Sequence, residues 1–516
     1  MKRTKLLILP ILVAMLTVGF YACTDKFEDL NTDKTKLTSL DASGVGNAFA
    51  AAQYRGLTAN WQIFQSLFAD LQSQFFANTA INFPSDRNVM VGGWLNGAWG
   101  AFYGNAVPPI LGVLESTKPG GPSANPAIYA IASIWKVQMY LPRTDYWGAI
   151  PYSKVGNGEK SVEYDSQEFI YKDFVTVLKK SAADLAAFKG TNVLGNNDQI
   201  YGGDVDKWIL FANTMRLRVA MRMSKVDPAL AKSEAESAVA GGVFTTNAHD
   251  ALLKVTTNSL NTLNQATAWN EFRMSAAMES VLKGYNDPRI SKYYAPVAGT
   301  ADKFKGLRNG YSQVELGLPE NAAVANSNVA NTFLPDNQFT NPFGVMYASE
   351  AYFLRAEGAL NGWNMGTGTA KEFYEMGITT AMRQWAINDA TAIAGYINGT
   401  TKPMALNDVA KTPALSDIPV KWEMTPAKQR EQVLTQKWLS LYPNGHEAWA
   451  EYRRTGFPKL YPRINSENPE VPTTTIVRRT PYVQGEFNTN KPGVESGISK
   501  LGGADSPATR LWWDKP

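Results

Sequence analysis

The chain of 516 residues is 44% hydrophobic and 19% charged, with one Cys, two His and a formal charge of +4. That length accommodates roughly three to four ordinary domains or one large continuous architecture. A single Cys excludes an intramolecular disulfide, a thiolate zinc knuckle and an iron–sulfur site; two His exclude a three-His metal centre; and so small a charge leaves no footprint for nucleic acid.

Lys2, Arg3 and Lys5 precede an apolar run from Leu6 to Phe20. The run suits a signal peptide and is too short to span a bilayer comfortably. It ends at Phe20-Tyr21-Ala22-Cys23. A small residue directly before Cys resembles a bacterial lipobox, in which the thiol is acylated and the chain is cut before it; Phe20 stands where Leu is usual. The plainer alternative is an ordinary secretory signal with an incidental Cys. Removing residues 1–22 takes away three positive charges and no negative one, so the mature chain carries about +1. Asp25, Glu28, Asp29 and Asp33 then make an acidic stretch. It reads either as a solvated tether or as similar to the stretch that directs Bacteroidetes lipoproteins to the cell surface. The expected division is a lipoprotein signal at 1–22, a tether at 23–43 and one domain over 44–516.

The body is expected to be all-α in the main. Helices are expected over 46–55, 61–78, 94–116 and 126–140. A capping-box pattern at Asp165-Ser166-Gln167-Glu168 opens the next, with Phe169, Ile170, Phe174, Val177, Leu178 and Leu185 on one face. Trp208 to Met223 follows with Arg216, Arg218 and Arg222 interleaved, then 228–240, 268–284, 346–357, 373–385 and 430–441. The last is stopped by Pro443-Asn444-Gly445, and after Tyr461 the chain reads as loop. Helices paired in this number suggest an α-solenoid or a large α-domain, although no strict repeat of about 34 residues aligns. Long Asn/Gly/Thr/Pro-rich stretches at 118–125, 190–203, 309–341 and 388–417 are the places for a recognition surface.

Catalytic patterns are sparse. There is no Gly-x-Ser-x-Gly elbow and no Walker loop. Gly366-Thr367-Gly368-Thr369 reads as a helix–helix turn with Thr369 as cap, and Asp204-Val205-Asp206 as a helix start in preference to a calcium loop. His446 is expected to be a structural hydrogen-bonding residue and His249 a turn residue. Paired carboxylates of a glycosidase are not excluded by 46 acidic residues, but nothing marks two of them.

Several segments in order resemble the SusD/RagB family of Bacteroidetes outer-membrane nutrient-binding lipoproteins. They are Phe27-Glu28-Asp29-Leu30-Asn31, Thr144-Asp145-Tyr146-Trp147-Gly148 through Tyr152, Asn286-Asp287-Pro288-Arg289, Glu350-Ala351-Tyr352-Phe353-Leu354-Arg355-Ala356-Glu357, Gln436-Lys437-Trp438 through Pro458, and Val477-Arg478-Arg479-Thr480-Pro481-Tyr482. With the lipobox, the likeness runs over nearly the whole mature chain. It implies a fold of four tetratricopeptide-like helix pairs with long irregular loops that carry the ligand surface. It also implies a SusC-like TonB-dependent transporter as partner, a glycan or other oligomeric nutrient as ligand, an outer-membrane location through lipid on Cys23, no cofactor, no metal and no catalytic residues. In the motifs, Trp438 and Leu441 read as core, Arg453 and Arg454 as partners of carboxylates, and Trp512-Trp513 as a tail packed back on the domain.

Sugars offer polar edges and apolar C–H faces, so a flat ring with polar neighbours is the group to seek. By position, Arg87, Trp94 and Asn96 after the second helix, Trp269 and Arg273 in the middle of the chain, and Tyr311 in the long loop are the candidate ligand-binding residues. A peptide ligand and a lipid-anchored hydrolase are the alternative readings.

Overall fold

The structure is a computed structural model that describes residues 40–159, 161–300 and 303–516. Residues 1–22, Cys23 and the tether up to residue 39 lie outside the described residues.

The first helix, α1 (Ala42–Thr58), starts where the Asp41 carboxylate accepts from Gly44 N at 2.7 Å. A π-helical stretch, Gln62–Ala69, runs on through Asp70–Gln72. Then α2 (Gly92–Ala101) passes through a π-helical turn into α3 (Val107–Thr117). Asn125 caps α4 (Pro126–Trp147), followed by α5 (Gln167–Leu185), α6 (Val205–Arg222), α7 (Pro228–Ala240) and α8 (Ala276–Gly284). The C-terminal part holds α9 (Ala348–Leu360), α10 (Ala370–Gln384), α11 (Pro426–Ser440) and α12 (Gly445–Thr455). Among the described residues the long helices pack as α1 on α3, α4 on α5, α6 on α7 and α9 on α10. Successive pairs join where α5 lies on α6, and α9 meets both α6 and α11. This is the all-α, tetratricopeptide-like stack of four pairs.

The pairs are riveted by buried charge. Arg216, Arg218 and Arg222 recur every second or fourth residue of α6 and all lie inside, at most 4% exposed. Arg216 Nε donates to Glu234 of α7 at 2.5 Å, and Arg218 reaches Glu350 of α9 with two bonds of 2.7 and 2.5 Å. Arg222 bonds Asp145 of α4 at 2.8 Å, Glu451 of α12 at 3.0 Å, and Glu447 of α12. A buried ion group of this kind demands that every partner be present, because one missing partner leaves a desolvated charge.

Several expectations are corrected. The cap of α5 is Ser166, whose hydroxyl accepts from Phe169 N; Asp165 is used instead by Ser153, and Glu168 pairs with Lys172. Phe169 is consequently turned outward, while Ile170, Phe174, Leu178 and Leu185 are buried. The expected helix 61–78 ends at Gln72 and leads into a strand, and the expected helix 268–284 contains a second strand before α8. Pro443-Asn444-Gly445 stops α11 but starts α12, because Asn444 Oδ1 accepts from Glu447 N. Short helices also stand at Ala390–Ile397, Gln484–Thr489 and Lys491–Ser499, where loop was expected. Asp204 and Thr369 are helix caps, the latter in a full capping box with Glu372. His249 lies in a short turn, where its Nδ1 accepts from Thr245 N. His446 departs from expectation: its Nδ1 has no hydrogen-bond partner.

The family motifs read as scaffold. Trp438 is 2% and Leu441 1% exposed. Arg454 pairs with carboxylates, whereas Arg453 donates to the main-chain oxygens of Asp145 and Arg478 and lies over the Trp449 ring. Trp513 packs back onto the core, with Nε1 donating to Asp145 Oδ1 at 2.8 Å.

Candidate ligand-binding face

Two short strands support the candidate residues. β1 (Phe76–Asn78) runs antiparallel to a strand at Phe272–Met274, with Phe76 opposite Met274, Ala77 opposite Arg273 and Asn78 opposite Phe272. The pairing extends outward as Thr79 N donates to Glu271 O at 2.8 Å and Thr79 Oγ1 to Asn270 O at 2.7 Å. On the other side Ser275 bridges Leu307, and Met274 N donates to Ser327 O. Four stretches remote in sequence thus meet in one ladder, and the loops they carry lie side by side.

The loop after β1 is held by polar groups turned inward. Asp86 accepts from Asn78 N and from Asn309 Nδ2 at 2.9 Å. Arg87 is 1% exposed; its Nε donates to Glu467 at 2.5 Å and its Nη1 to the main-chain oxygens of Phe83 and Tyr311. Arg87 therefore ties the loop to the 309–341 segment. Arg273 is likewise buried, donating to Ala323 O, Phe272 O and Asn270 Oδ1. Asn270 itself holds a left-handed φ of 56°, a conformation Asn tolerates better than most residues.

The rings are disposed differently. Trp94 is half-buried and stands edge-on to Phe83, with centroids 5.1 Å apart. Tyr311 packs partly buried against Ala77, Leu307 and Leu316, and burial raises its phenol pKa. Trp269 is 45% exposed on the turn before Asn270. Ile81, Val314, Leu318, Val324 and Phe339 are exposed on the same loops. With Trp269, these make six of the eleven large apolar side chains exposed among the described residues. Beside Trp269, Glu271 accepts two bonds from Gln62 Nε2 at 2.7 and 2.8 Å, and burial raises its carboxyl pKa.

Of the candidates, Arg87 and Tyr311 lie on segments bonded to each other, Trp269 on the turn before the Phe272–Met274 strand, Arg273 within that strand, and Trp94 on α2 against Phe83. Asn96 is directed elsewhere, its Oδ1 accepting from Gly485 N at 2.7 Å. The two arginines are spent on main-chain and carboxylate partners inside the loops, which leaves the rings as the surface on offer. Gln62 and Ile81 belong to the face as well. Neither carries a sequence signal, since Gln62 reads as part of a helix and Ile81 as a lone apolar residue. The face offers flat apolar area bordered by amide and carboxylate groups, a combination that suits a neutral polyhydroxylated ligand.

A family model described as SusD-like, Susd and RagB outer membrane lipoprotein, matches residues 26–514. The fold is similar to that of a chitin-binding SusD homolog from Flavobacterium johnsoniae, at 34% identity over 92% of this chain and 98% of that one, with a TM-score of 0.82. It is also similar to SusD homologs from Bacteroides vulgatus (31% identity, 91% of this chain and 97% of that one, TM-score 0.83) and Bacteroides uniformis (32%, 92% and 100%, TM-score 0.81). Among curated proteins none matches the sequence.

Proposed function

Because the chain belongs to the SusD-like family of outer-membrane lipoproteins, we propose that it is a surface-exposed, lipid-anchored binding protein that captures a glycan and passes it to a SusC-like TonB-dependent transporter. In this reading residues 1–22 are removed, Cys23 carries the lipid, residues 23–43 are the tether and residues 44–516 are a single binding domain. Several acyl chains on one residue anchor stably, each buried CH₂ contributing about 0.8 kcal/mol. The role is binding and delivery, without catalysis.

The observation that carries the proposal is the gathering of exposed rings and apolar groups, Trp269 foremost, on loops that the β1 ladder holds rigid. A ring platform with amide and carboxylate groups at its border fits a sugar's apolar face and its hydroxyls. The mature charge near +1 gives no attraction for a strongly anionic polymer. A neutral N-acetylated glycan is the ligand class we favour, in keeping with the chitin-binding homolog of the same fold.

Calorimetric titration of the soluble domain with chitohexaose tests this. Binding that is weakened about tenfold in Trp269→Ala, with no new reducing ends released, is the expected result. Chitohexaose binding unaffected by Trp94→Ala and Trp269→Ala together would remove the face from consideration. Release of reducing ends would favour the lipid-anchored hydrolase, and selective binding of oligopeptides the peptide reading.

A further inference from the structure

A cavity of about 190 Å³ is bounded by α1, the π-helical stretch, α4, the 341–347 segment, the end of α10 and the start of α12. It opens past Leu57, Leu252 and the exposed Pro342. Water needs only about 10–15 Å³ of such space, so the room is enough for an organic guest.

The wall holds polar atoms with no hydrogen-bond partner. They are Nε and Nη1 of Arg143, Nε1 of Trp61, Nδ1 of His446 and Oε1 of Gln138. Native interiors leave few such atoms unpaired, and five around one cavity need a cause. Arg143 is the most demanding of them. It is 2% exposed, sits with its guanidinium carbon 3.6 Å from the Phe64 ring centroid and 4.7 Å from that of Phe102, and makes one long bond of 3.4 Å to Gly56 O. None of the described carboxylates pairs with it. Asp145, Glu447 and Arg218 also line the cavity but are spent on one another's network through Arg222 and Glu350, and Asp250 accepts from Ala348 N and Asn247 Nδ2. An unpaired buried guanidinium costs several kcal/mol unless an anion meets it. The Phe64 and Phe102 rings flank the guanidinium, and its Nε and Nη1 are left without an acceptor.

The remaining wall is largely apolar and aromatic, with Trp61, Phe333, Phe343, Tyr347 and Trp385. A guest that satisfies both halves has an anionic head and an apolar body. We propose that this cavity binds a small carboxylate carrying an aromatic or aliphatic group, with Arg143 as the anion anchor and the Trp61 indole N–H as a second donor. This site is separate from the glycan face and does not depend on it.

The probes are benzoate and its neutral counterpart benzamide, titrated into the full mature domain, with the benzoate complex crystallised. Benzoate binding at least about tenfold tighter than benzamide, with its carboxylate against Arg143, is expected. Arg143→Gln should abolish the preference. Trp61→Phe, which keeps a ring and removes one donor, should weaken benzoate alone. Equal affinity for the two probes, no binding of either, or ordered water alone at Arg143 in the benzoate crystals would overturn the proposal. The wild-type comparison stands whether or not the Arg143 variant folds.

Discussion

Arg454 of α12 grips Glu357 of α9 with two parallel bonds, Nη1 to Oε1 at 2.8 Å and Nη2 to Oε2 at 2.7 Å, both side chains being 2% exposed. Arg454 also bonds Glu451, which accepts in turn from Lys437 and Arg222. Arg454, in the last turn of α12, is therefore the lock that joins this helix to the stacked pairs.

Removing one partner of such a group leaves the others charged and dry. Arg454→Ala should cost about 3–5 kcal/mol, seen as a lowered urea midpoint, and Arg454→Lys should recover only part of it because a point charge cannot replace the two-pronged geometry. A midpoint unchanged in Arg454→Ala would mean that the pair is dispensable.

Arg87 and Trp269 should separate stability from binding. Arg87 is buried and paired with Glu467, so Arg87→Ala should lower stability by about 2–4 kcal/mol. Trp269 is half-exposed, so Trp269→Ala should leave stability within about 0.5 kcal/mol while reducing glycan affinity. Thermal melts beside the titration check both.

His446 should make the fold acid-sensitive. Burial, with the Arg143 and Arg453 charges, pushes its imidazole from 6.5 down to about 3. The folded state holds it neutral, while the unfolded state takes up a proton below about 6.5. Stability is thus lost as pH falls from about 6.5 towards 3, by about 1.4 kcal/mol per pH unit in the middle of that window, and is unaffected by this group above it. Asp250, raised by burial from 3.8 to about 6, works the other way: its stabilisation is full below about 3.8 and fades as pH rises through 6. Comparing His446→Phe with the wild type by urea denaturation at pH 7 and pH 5 isolates the histidine: the variant should lose less stability on acidification. Equal losses would show that His446 is charged in the fold.

The anchor is tested by Cys23→Ala. The variant protein should appear in the soluble fraction with an unchanged melting temperature, and tight membrane association of that variant would refute the lipid attachment.

Parts of the site were legible and parts were not. Residue type and position single out Trp94 and Trp269, each at the start of an expected helix, and Tyr311 in the long loop. They do not tell that Trp94 rests on Phe83 while Trp269 stays open, because the difference lies in the partners brought by folding. Asn96 lies two residues from Trp94 yet bonds Gly485, nearly 400 residues away, and no local pattern announces that. In the sequence the arginines of α6 are only interleaved with its apolar residues. Their burial follows from Glu234, Glu350, Glu447 and Asp145 arriving from other helices.

The sequence by itself determined the helix-rich class and most of the helices, because apolar period and capping residues act over neighbouring positions; the family was carried by the resemblance of its motif segments taken in order. Only the tertiary structure decided where those helices yield to β1 and Phe272–Met274, since a three-residue strand exists through its cross-strand partner and not through its own propensity. It alone brought the stretches around Asn78, Arg273, Leu307 and Ser327 into one ladder, and closed a cavity around an unpaired Arg143. Those are products of long-range contacts, and the residues concerned carry no local sign of one another.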